Sequence, residues 1–199
     1  PLTLDNVYSR IVKQTNARKG YTMADKKIVI KDVEVSWAKL QEPANMYKSE
    51  TEMEYSVSLK MNDQLEKIMT DYKINKTVRE GKDSTFEGAR HINIALTEKT
   101  SGGWTRYGEV YDKNGNPSEA LVGNGSKVNM FVTIGDSNYG NIIKLGHLSD
   151  MNRDTKEMFF DFCQVMEIVD YEAPSAVIKS KATNAAVDAA PVEEMSIEF

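Results

Sequence analysis

The sequence predicts a mainly β protein: an antiparallel β-barrel with one helix and long loop insertions, followed by a disordered acidic C-terminal tail. Three observations carry this. Apolar and polar residues alternate in several runs, the period of strands with one buried face. Only one stretch, just after residue 61, has helical spacing. Past Asp170 all periodicity ends, and no Lys or Arg follows Lys181.

Met23-Ala24-Asp25-Lys26-Lys27 reads as a natural start. Residues 1–22 are therefore set apart as an N-terminal extension, either appended or a native flexible arm. Val33, Val35 and Trp37 then alternate with Glu34, Ser36 and Ala38. After a loop at 41–50, Met53, Tyr55, Val57, Leu59 and Met61 form the clearest period-two run in the chain. A helix is expected next, capped by Asn62 or Asp63 with Glu66 in a capping box. Its apolar side is Leu65, Ile68, Met69 and Tyr72. Residues 73–88 read as a long loop. Ile92, Ile94 and Leu96 mark a strand, and residues 104–111 resume beyond Ser101-Gly102-Gly103 as its hairpin partner. Asp112-Lys113-Asn114-Gly115-Asn116-Pro117 is a turn. Val128, Met130, Val132 and Ile134 share a face of a further strand, and 141–148 extend again. The last strand alternates Phe160, Phe162, Gln164 and Met166 with Phe159, Asp161, Cys163 and Val165. The domain is thus 23–172, with a flexible linker and tail over 173–199. Such an order suits a small barrel of the oligonucleotide/oligosaccharide-binding (OB) type, and periodicity alone also admits an immunoglobulin-like sandwich.

The net charge of −5 bounds the partners. The body, 23–181, holds 21 basic and 25 acidic residues, so any cationic groove must come from arrangement rather than composition. Residues 60–106 are its most basic part, nine cations against seven carboxylates. The one cysteine, Cys163, excludes an intramolecular disulfide and fits a reducing cytoplasm. No apolar run is long enough for a membrane helix, so no membrane partner is expected.

Aromatic rings beside cations are the chemistry that holds unpaired nucleic-acid strands. Every base offers a π-face to stack on, and Lys or Arg follows the phosphates. Trp104 and Tyr107 flank Arg106 in a glycine-bordered segment. Phe131 lies opposite the apolar face of its strand. Trp37 shares a face with Val33 and Val35, so it is either core or stacking residue. Tyr47, beside Lys48, and Tyr139 stand in turns. The expected phosphate contacts are Lys60, Lys76, Arg79, Lys82, Arg90, Arg106 and Lys144. Each aromatic has a packing role as its alternative, and each cation a solvated one.

Residues 182–199 hold four carboxylates and no cation, ending Glu193-Glu194-Met195-Ser196-Ile197-Glu198-Phe199. A purely solubilising tail does not need Met195, Ile197 and Phe199. Glu193, Glu194, Glu198 and Phe199 are expected to engage a basic pocket on a partner protein, or the cationic groove itself as a weak nucleic-acid mimic.

Val33-Glu34-Val35-Ser36-Trp37-Ala38-Lys39-Leu40-Gln41-Glu42-Pro43 and Tyr55-Ser56-Val57-Ser58-Leu59 resemble the opening of a family of bacteriophage single-stranded-DNA-binding proteins. Val110-Tyr111-Asp112-Lys113-Asn114-Gly115-Asn116-Pro117 and Gly125-Ser126-Lys127-Val128-Asn129-Met130 resemble its later part, and the acidic end with Phe199 resembles the tails of such replication proteins. The resemblance implies an OB-like fold and a non-enzymatic protein without cofactor. It implies sequence-independent coating of single-stranded DNA in replication, recombination and repair in the bacterial host cytoplasm. Replication proteins would be recruited through the tail, with self-association open. The acidic body departs from that picture. Two other classes compete. An enzyme would have to work with His91, His147, Cys163 and carboxylates, which show no metal spacing and no phosphate-binding glycine fingerprint. A β-module binding protein, such as a phage structural component, would need neither the tail nor exposed rings.

Overall fold

A computed structural model describes residues 25–82, 86–137 and 140–169. Residues 1–22 and the tail from 173, with Glu193, Glu194, Glu198 and Phe199, lie outside the described residues, as does Tyr139. The described elements are β1 (Lys26–Asn45), β2 (Met53–Lys60), α1 (Asp63–Asp71), β3 (Arg79–Glu80), β4 (Arg90–Thr97), β5 (Thr105–Tyr111), β6 (Lys127–Ser137), β7 (Gly140–Leu145), β8 (His147–Asn152) and β9 (Glu157–Glu167). The protein is mainly antiparallel β with a single helix among the described residues, as the period-two runs require.

The strands form one sheet in the order β3-β4-β2-β1-β6-β9-β5, with β7 paired to β6 and β8 to β9. Its two ends meet. β4 turns tightly into β5, where the Thr100 N–H donates to the Trp104 carbonyl (2.9 Å) and the Arg106 N–H to the Glu98 carbonyl (2.7 Å). The sheet therefore closes into a ring, β1-β2-β4-β5-β9-β6. The hairpin expected at 104–111 holds only at its start. Beyond Arg106, β5 runs parallel to β9, the one parallel pair between these strands.

The core is the inner face of this ring. Val35, Val57, Leu59, Ile92, Ile94, Val128, Met130, Val132 and Phe162 are all fully buried. The Asn62 Oδ1 accepts the Leu65 N–H (2.8 Å) and caps α1. Glu66 does not complete the expected capping box; its carboxylate pairs with Arg90 at 2.7 Å. α1 buries Leu65 and Ile68. It docks on β1 through Gln64, whose side chain accepts from the Lys31 N–H and donates to the Val29 carbonyl (both 2.9 Å).

Strict alternation fails along β9. Asp161 pairs with Glu109 but Cys163 with Val110, so β9 carries one extra residue there. Phe162 and Cys163 are consequently both buried, Val165 turns inward and Met166 outward, the reverse of the simple pattern. Burial pushes the Cys163 thiol up to about 12, so it stays protonated at neutral pH. Phe162 lies edge-on to Tyr55, ring centroids 5.1 Å apart. It occupies the place a side chain on Gly108 would need: a Cβ there would fall 1.6 Å from the Phe162 ring.

Gly108→Ala must displace Phe162 or open the β5–β9 ladder. A stability loss of about 3 kcal/mol is expected, measured by urea unfolding; a change below about 1 kcal/mol would mean that Phe162 does not anchor the core as described.

Candidate nucleic-acid interface

The site begins with an irregularity in β1. Ser36 pairs with Ser58, but Lys39 pairs with Ser56, so β1 inserts one residue. Trp37 sits in this bulge with φ of 53°, a backbone conformation that is uncommon for a bulky side chain. Asn124 holds it there. Its Oδ1 accepts the Trp37 N–H (2.8 Å) and the Ser36 hydroxyl (3.0 Å). The bulge breaks the alternation that would have put Trp37 beside Val33 and Val35, and the indole is 57% exposed. The expectation that these three share a face is therefore corrected: Val33 and Val35 are core, and Trp37 is surface.

Directly paired residues of antiparallel strands share a face. The outer face of β1, β2 and β4 therefore carries the rows Lys39–Ser56–Ala95 and Ser36–Ser58–Asn93, and Lys60–His91 continues into Arg79 of β3. The short side chains Ser56, Ser58 and Ala95 keep the middle of this surface low, the two serines being buried, and Lys39 and Asn93 stand exposed beside them. Trp37 stands on one side. Val78, Arg79, Glu80, Gly81, Lys82 and Phe86 form the other, and a cavity of about 660 Å³ lies between them with His91 in its lining.

The cations differ in availability. Lys60 pairs with Glu34 (2.7 Å), Arg90 with Glu66 and Lys144 with Asp25 (3.6 Å), so these expected phosphate contacts are engaged within the protein. Among the described residues, Arg79 and Lys82 have no such ion pair. Lys76 has its pKa lowered by burial and then by the charge of Arg79, with Glu54 opposing. Two cations that repel one another in a partly dehydrated setting gain from a bound anion. Glu80 is the one carboxylate among the described residues of the cavity lining.

The other sequence candidates scatter. Tyr47 is 84% exposed in the β1–β2 loop, with the Lys48 ammonium 5.2 Å from its ring centroid. Arg106 is tied to the Thr97 carbonyl (2.9 Å) and hydroxyl (2.7 Å), and burial lowers its pKa. It is a fixed group at the end of the groove face, since Thr97 shares that face with Glu54. Trp104 is half-buried in the β4–β5 turn. Tyr107 stacks on Phe159 (5.5 Å, 22°), and both are exposed, but on β5 and β9 across the ring from β2. Phe131 is half-buried and stacks on His147 (5.3 Å, 26°). The open surface expected at Phe131 is thus covered by the start of β8. Trp104 and Phe131, both expected as stacking residues, lie apart from the cavity, whose lining includes Trp37.

Sequence reasoning passed over Asn124, Phe86 and the placement of His91. His91 had a signal, since it shares the polar side of its strand with Asn93 and Ala95. Phe86 had none, because its burial depends on contact between β3 and the return to β4. Gly81 sets that contact: a Cβ on it would lie 1.9 Å from the Phe86 carbonyl oxygen.

No family model matches this chain, and no curated protein does. Among solved structures it is similar to gp2.5, a single-stranded DNA binding protein encoded by bacteriophage T7. The identity is 14% and the TM-score 0.43, over 84% of this chain and all of that one. It is also similar to the single-stranded DNA-binding protein of bacteriophage Enc34 in a C-terminally truncated form. There the identity is 15% and the TM-score 0.40, over 73% of this chain and 87% of that one. The same phage protein in complex with single-stranded DNA matches at 16% and 0.37, over 73% and 88%.

Proposed function

We propose that this protein binds single-stranded DNA without choosing a sequence, along the outer face of β1, β2 and β4. The observation that carries the reading is the exposed indole of Trp37, locked in a left-handed bulge and facing Arg79 and Lys82 across a cavity. An exposed Trp on a strained backbone is costly unless it meets something. A base stacks on the indole, its phosphates reach Arg79, Lys82 and Lys76, and Tyr47 with Lys48 extends the track at the loop end. Duplex DNA keeps its bases stacked inward and cannot offer such a face. The protein then serves phage replication, recombination and repair in the bacterial cytoplasm as a strand-coating protein rather than an enzyme. The acidic end through Phe199 recruits replication partners and competes for the groove.

A second reading has its own observation. Tyr107 and Phe159 stack on one another while 40% and 38% exposed, a surface that suits a protein partner or a phage structural contact. Titration separates the two. Oligo-dT is expected to quench tryptophan fluorescence, with affinity falling about tenfold between about 50 and 200 mM salt. Trp37→Ala should weaken binding at least about fivefold, the value of a lost stack, while Tyr107→Ala should change it little. Absence of any quenching or gel retardation removes the strand-binding reading and leaves the interaction module.

Deletion of 182–199 is expected to leave the unfolding midpoint unchanged and to tighten oligo-dT binding, because an intramolecular competitor is lost. Unchanged or weaker affinity would defeat the mimic role of the tail.

A further inference from the structure

We propose that the cavity beside Trp37 is a nucleotide pocket that takes one base out of the strand, a purine by preference, and that His91 reads it. This rests on the strand-binding reading and adds a discrete subsite to it. The cavity, about 660 Å³, is of the size that holds small-molecule ligands. Its lining combines three chemistries needed for one nucleotide. Trp37 offers a flat apolar ring, and Phe86 with His91 a second, their centroids 5.5 Å apart. Arg79 and Lys82 stand where a phosphate can meet them. His91 supplies a hydrogen-bonding group, and its Nδ1 is buried with no hydrogen-bond partner among the described residues.

That last feature is the informative one. Buried polar atoms are nearly always paired, and an exception in the wall of a cavity calls for a ligand. A half-turn of the imidazole about Cβ–Cγ exchanges Nδ1 with Cδ2, so an incoming base can recruit the nitrogen that now lacks a partner. Purines suit the site on two counts. Their double ring covers more of the indole than a pyrimidine does. Their N7 acceptor is matched by an imidazole N–H. One wall of the pocket is set by backbone, since the Phe86 carbonyl lies against the Cα side of Gly81.

The test uses the full chain and free mononucleotides. dAMP and dGMP are expected to quench tryptophan fluorescence with affinities about fivefold tighter than dTMP and dCMP, the worth of one net hydrogen bond. His91→Ala should abolish that difference, while His91→Gln, which keeps a hydrogen-bonding side chain, retains part of it. Trp37→Ala should lose all four mononucleotides. Equal affinity for the four, or discrimination that survives in His91→Ala, overturns the role of His91. No mononucleotide binding alongside intact oligo-dT binding overturns the pocket and leaves the strand-binding reading standing. Loss of oligo-dT binding by the unaltered protein would instead fail that reading.

Discussion

The account turns on a side-chain amide holding a kink in a long strand. β1 runs for 20 residues, too long to follow a tightly curved ring without interruption, and its ladders shift register at three places, between Ile30 and Val33, between Ser36 and Lys39 and between Lys39 and Ala44. At the first two, an amide side chain takes up the backbone N–H that the ladder releases. Asn129 accepts from Asp32, and Gln64 from Lys31, beside the first. Asn124 accepts from Trp37 at the second. A backbone N–H left unpaired inside the fold costs about as much as a lost hydrogen bond, so these three amides decide where β1 bends. The second bend determines that an indole faces outward. Without Asn124 the extended alternative returns Trp37 to the side of Val33 and Val35, and the groove loses its wall.

Curvature and function are thus the same feature of β1. The inner face of β1, β2 and β4 is apolar and closed over Phe162, while the other face carries the short side chains Ser56, Ser58 and Ala95, the two serines themselves buried, with Lys39 and Asn93 exposed beside them. A long polymer can lie on a low surface, and the wall residues give it purchase at intervals. The acidic body does not oppose this. Glu34 and Glu66 are occupied by Lys60 and Arg90, while Arg79 and Lys82 at the cavity have no ion pair among the described residues, so an unfavourable total charge coexists with a favourable local one.

The fold was legible wherever one face of a strand is buried and the other is not. Tyr55, Val57 and Leu59, and again Val128, Met130, Val132 and Ile134, point inward as their period dictates. It was illegible at the bulges. A single inserted residue reverses every later side chain, as at Cys163 and Val165, and nothing in Asp161-Phe162-Cys163 marks the insertion. Trp37 was named as a stacking candidate and is exposed, yet for a reason that lies 87 residues away in Asn124. Trp104 and Phe131 are half-buried for reasons equally distant: a strand's outer ring reads as bare until His147 stacks on it. The cations were recognised as a set, but only geometry separates Arg79 and Lys82 from those already paired.

Backbone amide chemical-shift mapping with an oligo-dT of about footprint length, on the order of 4–16 nucleotides for one such domain, tests the central claim most directly. Binding along the Trp37 groove predicts perturbations concentrated at residues 36–39, 56–60, 78–82 and 91–95, together with the Trp37 indole N–H. Shifts gathered instead around Tyr107 and Phe159, with the Trp37 indole unmoved, would contradict it.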